Sequence, residues 1–368
     1  MMALTLLKRG LYTFFKVVCF CRHLLVKKPA MDKTWQNADR VMLCAASGIG
    51  DAVMALPVIT ALQQAKPNCR LGVVCKSPNQ ALFLRMKIDV VLQYDLHEKQ
   101  LAAFFRLVKN IRLFSPQIWL ALRPSNTMFH SVLAMFSGAA FRIRHALPPG
   151  KKTRTDMAFV YTCIHPFYPE KHQIQNNLNL IKFFQSDISG KPFLPFLKVN
   201  EKSCIAHLKK KGVELNSKYI CIHAGGNLAD KRYPPYLYAG VINNLITKGH
   251  TILLLGGKTD RKINQKIKTR ITRQDYIDLS GQLEIMQTAF VLSKSRALIT
   301  NDSGIMHLAD ALKRPLIALF SPTDPNHVGP INRNAMVVNH PVSIEKITVD
   351  EIIGCFEKLM QKTASSET

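Results

Sequence analysis

Three short stretches of the chain carry residue types and spacings that can do chemistry. The first is Thr300–Pro330, TNDSGIMHLADALKRPLIALFSPTDPNHVGP. An apolar run ends at Thr300, NDSG follows, and Ile305, Leu308, Ala309 and Leu312 then recur at helical spacing with Asp302 or Ser303 in the N-cap position. A strand–turn–helix of this kind presents unpaired backbone N–H groups, and Gly304 lets a ligand approach the main chain. It reads either as an anion site at the carboxyl end of a strand or as an ordinary capped helix in an α/β domain. His307 lies one turn further along, on the face of Ser303, where it either ties helix to strand or meets an anion. The second stretch, Cys44–Pro57, CAASGIGDAVMALP, places Asp51 just past Gly48-Ile49-Gly50 at the start of a helix. There the helix terminus keeps a carboxylate ionised, as a general base requires, although an N-cap aspartate with no chemistry has the same address. The third, His223–Pro234, HAGGNLADKRYP, sets a cation, Lys231, after the Gly225-Gly226 turn.

The elements that must position these residues follow from alternation. Val41–Ala46, Leu71–Cys75, Val90–Tyr94 and Ile118–Leu122 read as strands. Between them lie helices from about Asp51 to Gln64, which Pro57 should kink, then at Ala81–Lys87 and Leu101–Leu113. Asn126–Phe136 and His172–Phe184 read as further helices. The plan repeats with strands at Tyr219–His223, Thr251–Leu255 and Tyr276–Leu279, helices from Pro235 and at Leu283–Ser293, and the Leu316–Phe320 strand. Such alternation means α/β folding with parallel sheets and right-handed crossovers, here in two units. Ser189–Asn200, with two prolines and a glycine, reads as the linker between them. The expected boundaries are an extension over 1–38, a first domain over 39–190 and a second over 191–368.

Charge narrows the classes of partner. Against 24 Asp and Glu stand 50 Lys and Arg, a formal net charge of +26 that draws the chain to polyanions. No zinc-finger spacing, RNP-like aromatic run or basic region leading into heptads supports nucleic acid. The nine cysteines form no metal-spaced cluster, and Cys44, Cys75 and Cys221 fall in apolar runs as reduced buried thiols do. GIGD falls short of G-x-G-x-x-G, and no acidic residue follows at ribose-binding distance, which excludes a nicotinamide-cofactor reading. Phe141–Arg154, FRIRHALPPGKKTR, reads as a basic loop, either solvated or a docking surface for a phosphorylated ligand. Met1–Lys28 has six basic residues, no acid and an apolar face through Leu4, Leu7, Leu11, Phe14, Phe15 and Val18. It is too interrupted for a membrane span or secretory signal. It fits a basic amphipathic helix on an anionic membrane, or a helix packed on the protein's own surface.

The order GIGD, HAGG…DKRYP, NDSGIMHLADAL…SPTDP resembles the bacterial lipopolysaccharide heptosyltransferases, glycosyltransferase family nine, from about Arg40 to Pro330. The resemblance implies a GT-B architecture, two Rossmann-like domains facing a central cleft. It also implies an inverting, metal-independent transfer of heptose from ADP-heptose to the phosphorylated inner core, at the inner face of the cytoplasmic membrane, with no cofactor. By the same resemblance Asp51 deprotonates the acceptor, and Lys231 meets the donor diphosphate with Gly225, Gly226, Ser303, Gly304 and His307. Asp302 either caps the helix or, as the resemblance implies, binds sugar hydroxyls, and by position Asp260 and the neighbourhood of Leu283 are expected to contact the adenosine. Gly48, Gly50, Arg123, Arg142, Arg144, Lys151 and Lys152 are the expected acceptor contacts. Asn227 stands where many relatives carry a small hydroxyl residue. The same architecture with another sugar or acceptor, and a silent lipopolysaccharide- or membrane-binding relative, are the alternatives.

Overall fold

The computed structural model describes residues 35–45, 48–95, 101–122, 128–147, 157–182, 201–210, 219–226 and 228–365. The expectations for Met1–Lys28, the linker, Arg123, Lys151, Lys152 and Asn227 lie outside those residues. The chain divides into two compact units, Met1–Lys191 and Pro192–Thr368.

In the first unit the strands are β1 (Arg40–Cys44), β2 (Arg70–Lys76), β3 (Val90–Tyr94), β4 (Ile118–Ala121), β5 (Phe141–His145) and β6 (Cys163–His165). Their helices are α1 (Ile49–Val53), α2 (Leu56–Ala65), α3 (Gln80–Phe83), α4 (Leu101–Phe114), α5 (Met128–Phe136) and α6 (Gln173–Lys182). The second unit has α7 (Glu201–Lys209), β7 (Ile220–His223), α8 (Pro235–Thr247), β8 (Ile252–Leu255), α9 (Arg261–Lys268), β9 (Tyr276–Asp278) and α10 (Ile285–Lys294). It continues through β10 (Ala297–Asn301), α11 (Gly304–Ala311), β11 (Leu316–Phe320), α12 (Pro325–Val328), β12 (Ala335–Asn339) and α13 (Val349–Ala364).

Each unit carries one six-stranded sheet, ordered β3-β2-β1-β4-β5-β6 in the first and β12-β11-β10-β7-β8-β9 in the second. Every pairing is parallel, with Val41 opposite Leu71 and Ile118, and Leu298 opposite Cys221 and Leu316. Parallel strands covered on both faces read as near-continuous apolar runs, which is why β10 and β11 are buried at every position. In both sheets the chain first builds outward from one central strand and then crosses to its other side. That reversal opens a crevice at the carboxyl ends of β1 and β4 in one unit, and of β7 and β10 in the other. The motifs picked out from the sequence follow β1, β7 and β10.

Two local expectations are corrected. Pro57 does not kink one long helix. It lies in the first turn of α2, after a break at Met54 and Ala55, where its missing N–H costs no hydrogen bond. Arg142 and Arg144 are not on a loop. They lie on β5 and are 4% and 2% exposed, so neither offers an open cation to an acceptor. The Arg142 guanidinium donates to Val160 O at 2.7 Å and Ala139 O at 2.5 Å, and that of Arg144 stacks 5.1 Å over the Tyr161 ring. Carbonyl acceptors and an aromatic face take the place of water, which lets an always-charged side chain enter a core.

The cysteine reading holds where the structure describes it. Cys44, Cys75 and Cys221 are free and buried, and burial pushes their thiols up to about 12, which keeps them protonated and inert.

Candidate active site

Asn301 closes β10 and is fully buried. Its amide uses both donors and both lone-pair directions. Nδ2 donates to Ala224 O at 3.0 Å and Gly225 O at 3.1 Å, while Oδ1 accepts from the Tyr233 N–H at 3.1 Å and the Tyr238 hydroxyl at 2.9 Å. One side chain thus fixes the loop after β7 to the end of β10, across the crevice between them. The Gly225-Gly226 turn is held from its other end by Arg232, whose Nε donates to Gly226 O at 2.8 Å.

On this frame Lys231 reaches Asp302, with Nζ 2.6 Å from Oδ2. The lysine is partly exposed and the carboxylate largely covered, at 22% and 9% of their side-chain surfaces. Lys231 ends a single 3₁₀ turn, Ala229–Lys231, so its position is set by the loop. Ser303 then takes the N-cap position of α11 in extended conformation, but its side chain makes no capping bond. Instead its hydroxyl lies 3.1 Å from Thr300 Oγ1 and 3.2 Å from His223 Nδ1. The first-turn N–H groups of α11 therefore keep their capacity for an anion, beside a lysine.

His223 ends β7 and joins a third loop to the other two. Its Nδ1 lies 3.2 Å from Thr300 Oγ1, and its Nε2 faces Asp260 Oδ2 at 3.8 Å. Asp260 also accepts from the Gly257 N–H at 2.8 Å. Burial raises its carboxyl, but the His223 imidazole, the Gly257 N–H and the Arg232 charge together hold it below its ordinary value. A Cβ at Gly225 would stand 2.5 Å from the Asp260 carboxylate, so glycine is what permits this approach.

His307 is 5% exposed on α11. Three residues on, Asp310 is also buried. Burial raises its carboxyl, opposed by hydrogen bonds from the backbone N–H groups of Ile331 and Asn332, the Asn332 side chain and the charge of His307. Leu283 sits half-buried just before α10.

In the first unit Asp51 is half-buried in the first turn of α1, and its Oδ2 accepts from the Gly48 N–H at 3.2 Å. A side chain at Gly48 would press on that carboxylate, with a Cβ 3.3 Å from Oδ2; Gly50 lies in α1 itself. Behind it, at the end of β3, the Tyr94 hydroxyl lies 2.7 Å from His130 Nε2 on α5. Burial pushes His130 down to about 4, partly opposed by the charge of Asp51. Burial keeps the imidazole neutral in its contact with the tyrosine hydroxyl, and a carboxylate stands close by. His130 and Tyr94 have no signal in the sequence, because a lone histidine in an apolar helix looks like core. His223 and Asn301 do have one, since each stands at the head of a motif.

The chemistry open to the second unit is anion binding by a lysine and a helix terminus, with a carboxylate alongside. That open to the first is proton acceptance at Asp51. Comparison with known proteins gives the family and the fold. The family model Glycosyltransferase family 9 (heptosyltransferase) matches residues 130–351. Lipooligosaccharide heptosyltransferase 2 of Haemophilus influenzae is 24% identical over 319 residues, covering 81% of this chain and 88% of the relative. The solved structure of E. coli ADP-heptose lps heptosyltransferase II superposes with a TM-score of 0.74 at 21% identity, covering 88% of this chain and 99% of that one. E. coli heptosyltransferase WaaC with ADP does so at 0.68 and 17%, covering 87% and 99%. These likenesses show the expected GT-B fold. The chain belongs to glycosyltransferase family 9, the heptosyltransferases.

Proposed function

We propose that this protein transfers a heptose from ADP-heptose to the phosphorylated inner core of lipopolysaccharide, inverting the anomeric centre. The observation that carries the reading is the loop cluster at the ends of β7 and β10. Lys231 and the first turn of α11 stand together there, with Asp302 2.6 Å from the lysine. Relatives bearing heptosyltransferase names supply the sugar and the acceptor.

In the reaction, an acceptor hydroxyl oxygen attacks the anomeric carbon from the face opposite the leaving group. The bond from that carbon to the β-phosphate oxygen breaks, and its electron pair departs with the diphosphate. Lys231 and the α11 terminus meet the growing negative charge. A helix terminus contributes roughly 0.3–1 kcal/mol to an exposed anion and up to about 2 when partly buried. An ammonium has three donors, so Lys231 can hold Asp302 and a phosphate oxygen together. Asp302 would receive the sugar hydroxyls, and Asp51 the proton of the attacking hydroxyl. We propose that these residues need neither metal nor cofactor, so chelators leave turnover unchanged.

Among the described residues no helix is long and apolar enough to cross a membrane. A lipid-bearing acceptor would then be met at the cytoplasmic membrane face by a peripheral protein. The test is incubation of purified protein with ADP-heptose and heptose-deficient lipopolysaccharide, followed by mass spectrometry. A single heptose increment is expected; no increment in the presence of both substrates rejects the reading.

A further inference from the structure

The face of α4 that points away from the core has an unusual make-up. Leu107, Val108, Ile111 and Phe114 turn inward and pack into the first unit. Outward, Phe105 and Leu113 are 60% and 74% exposed. They lie eight residues apart, two turns along one side of the helix. Lys109 and Arg112 stand between them, Arg106 follows Phe105, and the helix has no acidic residue. Phe105, Val108, Lys109, Arg112 and Leu113 line an open depression of about 360 Å³.

A single exposed leucine is ordinary, but an exposed phenylalanine and leucine framing cations on one helix face are what interfacial helices present to lipid. We propose that the outer face of α4 docks on an anionic bilayer. The two apolar side chains enter the acyl boundary while Arg106, Lys109 and Arg112 meet lipid phosphates. Charge decides between occupants. A second copy of the chain using the same face would bring these cations against each other across a two-fold axis. An anionic lipid surface is complementary, and the whole chain at +26 is drawn the same way. The inference rests on the reading that the acceptor is held in a membrane, and it assigns the surface that would bring the first unit to it.

The experiment uses the full chain and vesicles of neutral phosphatidylcholine with or without phosphatidylglycerol. Both tryptophans, Trp35 and Trp119, are buried, so Leu113→Trp adds an exposed reporter. Its emission is expected to shift to the blue with anionic vesicles only. In flotation, the Phe105→Ser/Lys109→Glu/Leu113→Ser variant is expected to lose tenfold or more of its anionic-vesicle binding at an unchanged thermal midpoint. An unmoved Leu113→Trp spectrum, or flotation equal to the parent, overturns the proposal. So does a dimer of the parent chain that the triple variant abolishes. If the triple variant fails to fold, the Leu113→Trp spectrum decides alone. Transfer to a delipidated, soluble acceptor is measured in parallel and should be unchanged in the variant. Absence of that activity in the parent chain speaks against the transfer reading and leaves the vesicle result standing by itself.

Discussion

Lys231 Nζ and Asp302 Oδ2 lie 2.6 Å apart although their residues are 71 positions apart in the chain. The pair joins the loop after β7 to the turn that opens α11, so each partner is held ready before any ligand arrives. Lys231→Ala should weaken ADP binding by about 1.5–3 kcal/mol, roughly ten- to a hundredfold, because a charged donor to phosphate is lost. Turnover should fall as well, since the charge on phosphate grows in the transition state. Calorimetric titration with ADP checks this, and unchanged affinity would remove Lys231 from the donor site.

Asp51→Asn keeps the shape of the side chain and an oxygen to accept from the Gly48 N–H, so α1 should start as before. The proton acceptor is gone. Turnover should drop roughly 10²–10⁴-fold while ADP affinity stays at the parental value. Single-turnover kinetics with saturating donor measures it; a rate within a few-fold of the parent would mean another group takes the proton.

Asn301→Asp is nearly isosteric yet should be harmful. The amide donates to two carbonyls, Ala224 O and Gly225 O, and a carboxylate can donate to neither. Each buried group left unpaired costs roughly 1–3 kcal/mol. A lowered thermal midpoint and loss of ADP binding are expected together, because the same amide anchors the glycine turn. Wild-type melting in this variant would show that the network tolerates a charge.

Stability should fall in mild acid. Burial pushes His130 down to about 4, and burial with the neighbouring His165 pushes His145 down to about 3. Both folded values lie below the ordinary histidine value of 6.5, so the unfolded chain takes up protons first. Their contribution is complete above 6.5 and is lost as pH falls through the folded values, by about 1.4 kcal/mol per pH unit for each group. Thermal melts between pH 7 and pH 4 report the slope, and His130→Gln should make it shallower. A parental melting point flat over that interval contradicts the assignment.

Much of this could be read from the chain because the fold is written locally. β10 is apolar up to its last two residues, Thr300 and Asn301, β11 is apolar throughout, α11 has its period, and the motifs sit at strand ends where such folds keep their sites. What could not be read depends on partners distant in sequence. Arg142 and Arg144 belong to a run of cations that resembles a solvated loop. Only the carbonyls of Val160 and Ala139 and the Tyr161 ring, brought in by folding, explain their burial. The pairing of Tyr94 with His130 spans 36 positions and leaves no periodic trace. β6 is three residues long, too short for any pattern to show.

Trp35 and Trp119, the chain's two tryptophans, both lie in the first unit, and both are buried. Indole emission therefore watches one half of the molecule melt and is blind to the other, whereas far-ultraviolet circular dichroism follows the helices of both. Superimposed curves from the two probes would mean that the halves cooperate in a single transition; separated curves would order their unfolding. The wild-type protein thus carries its own label for asking whether its two units stand or fall together.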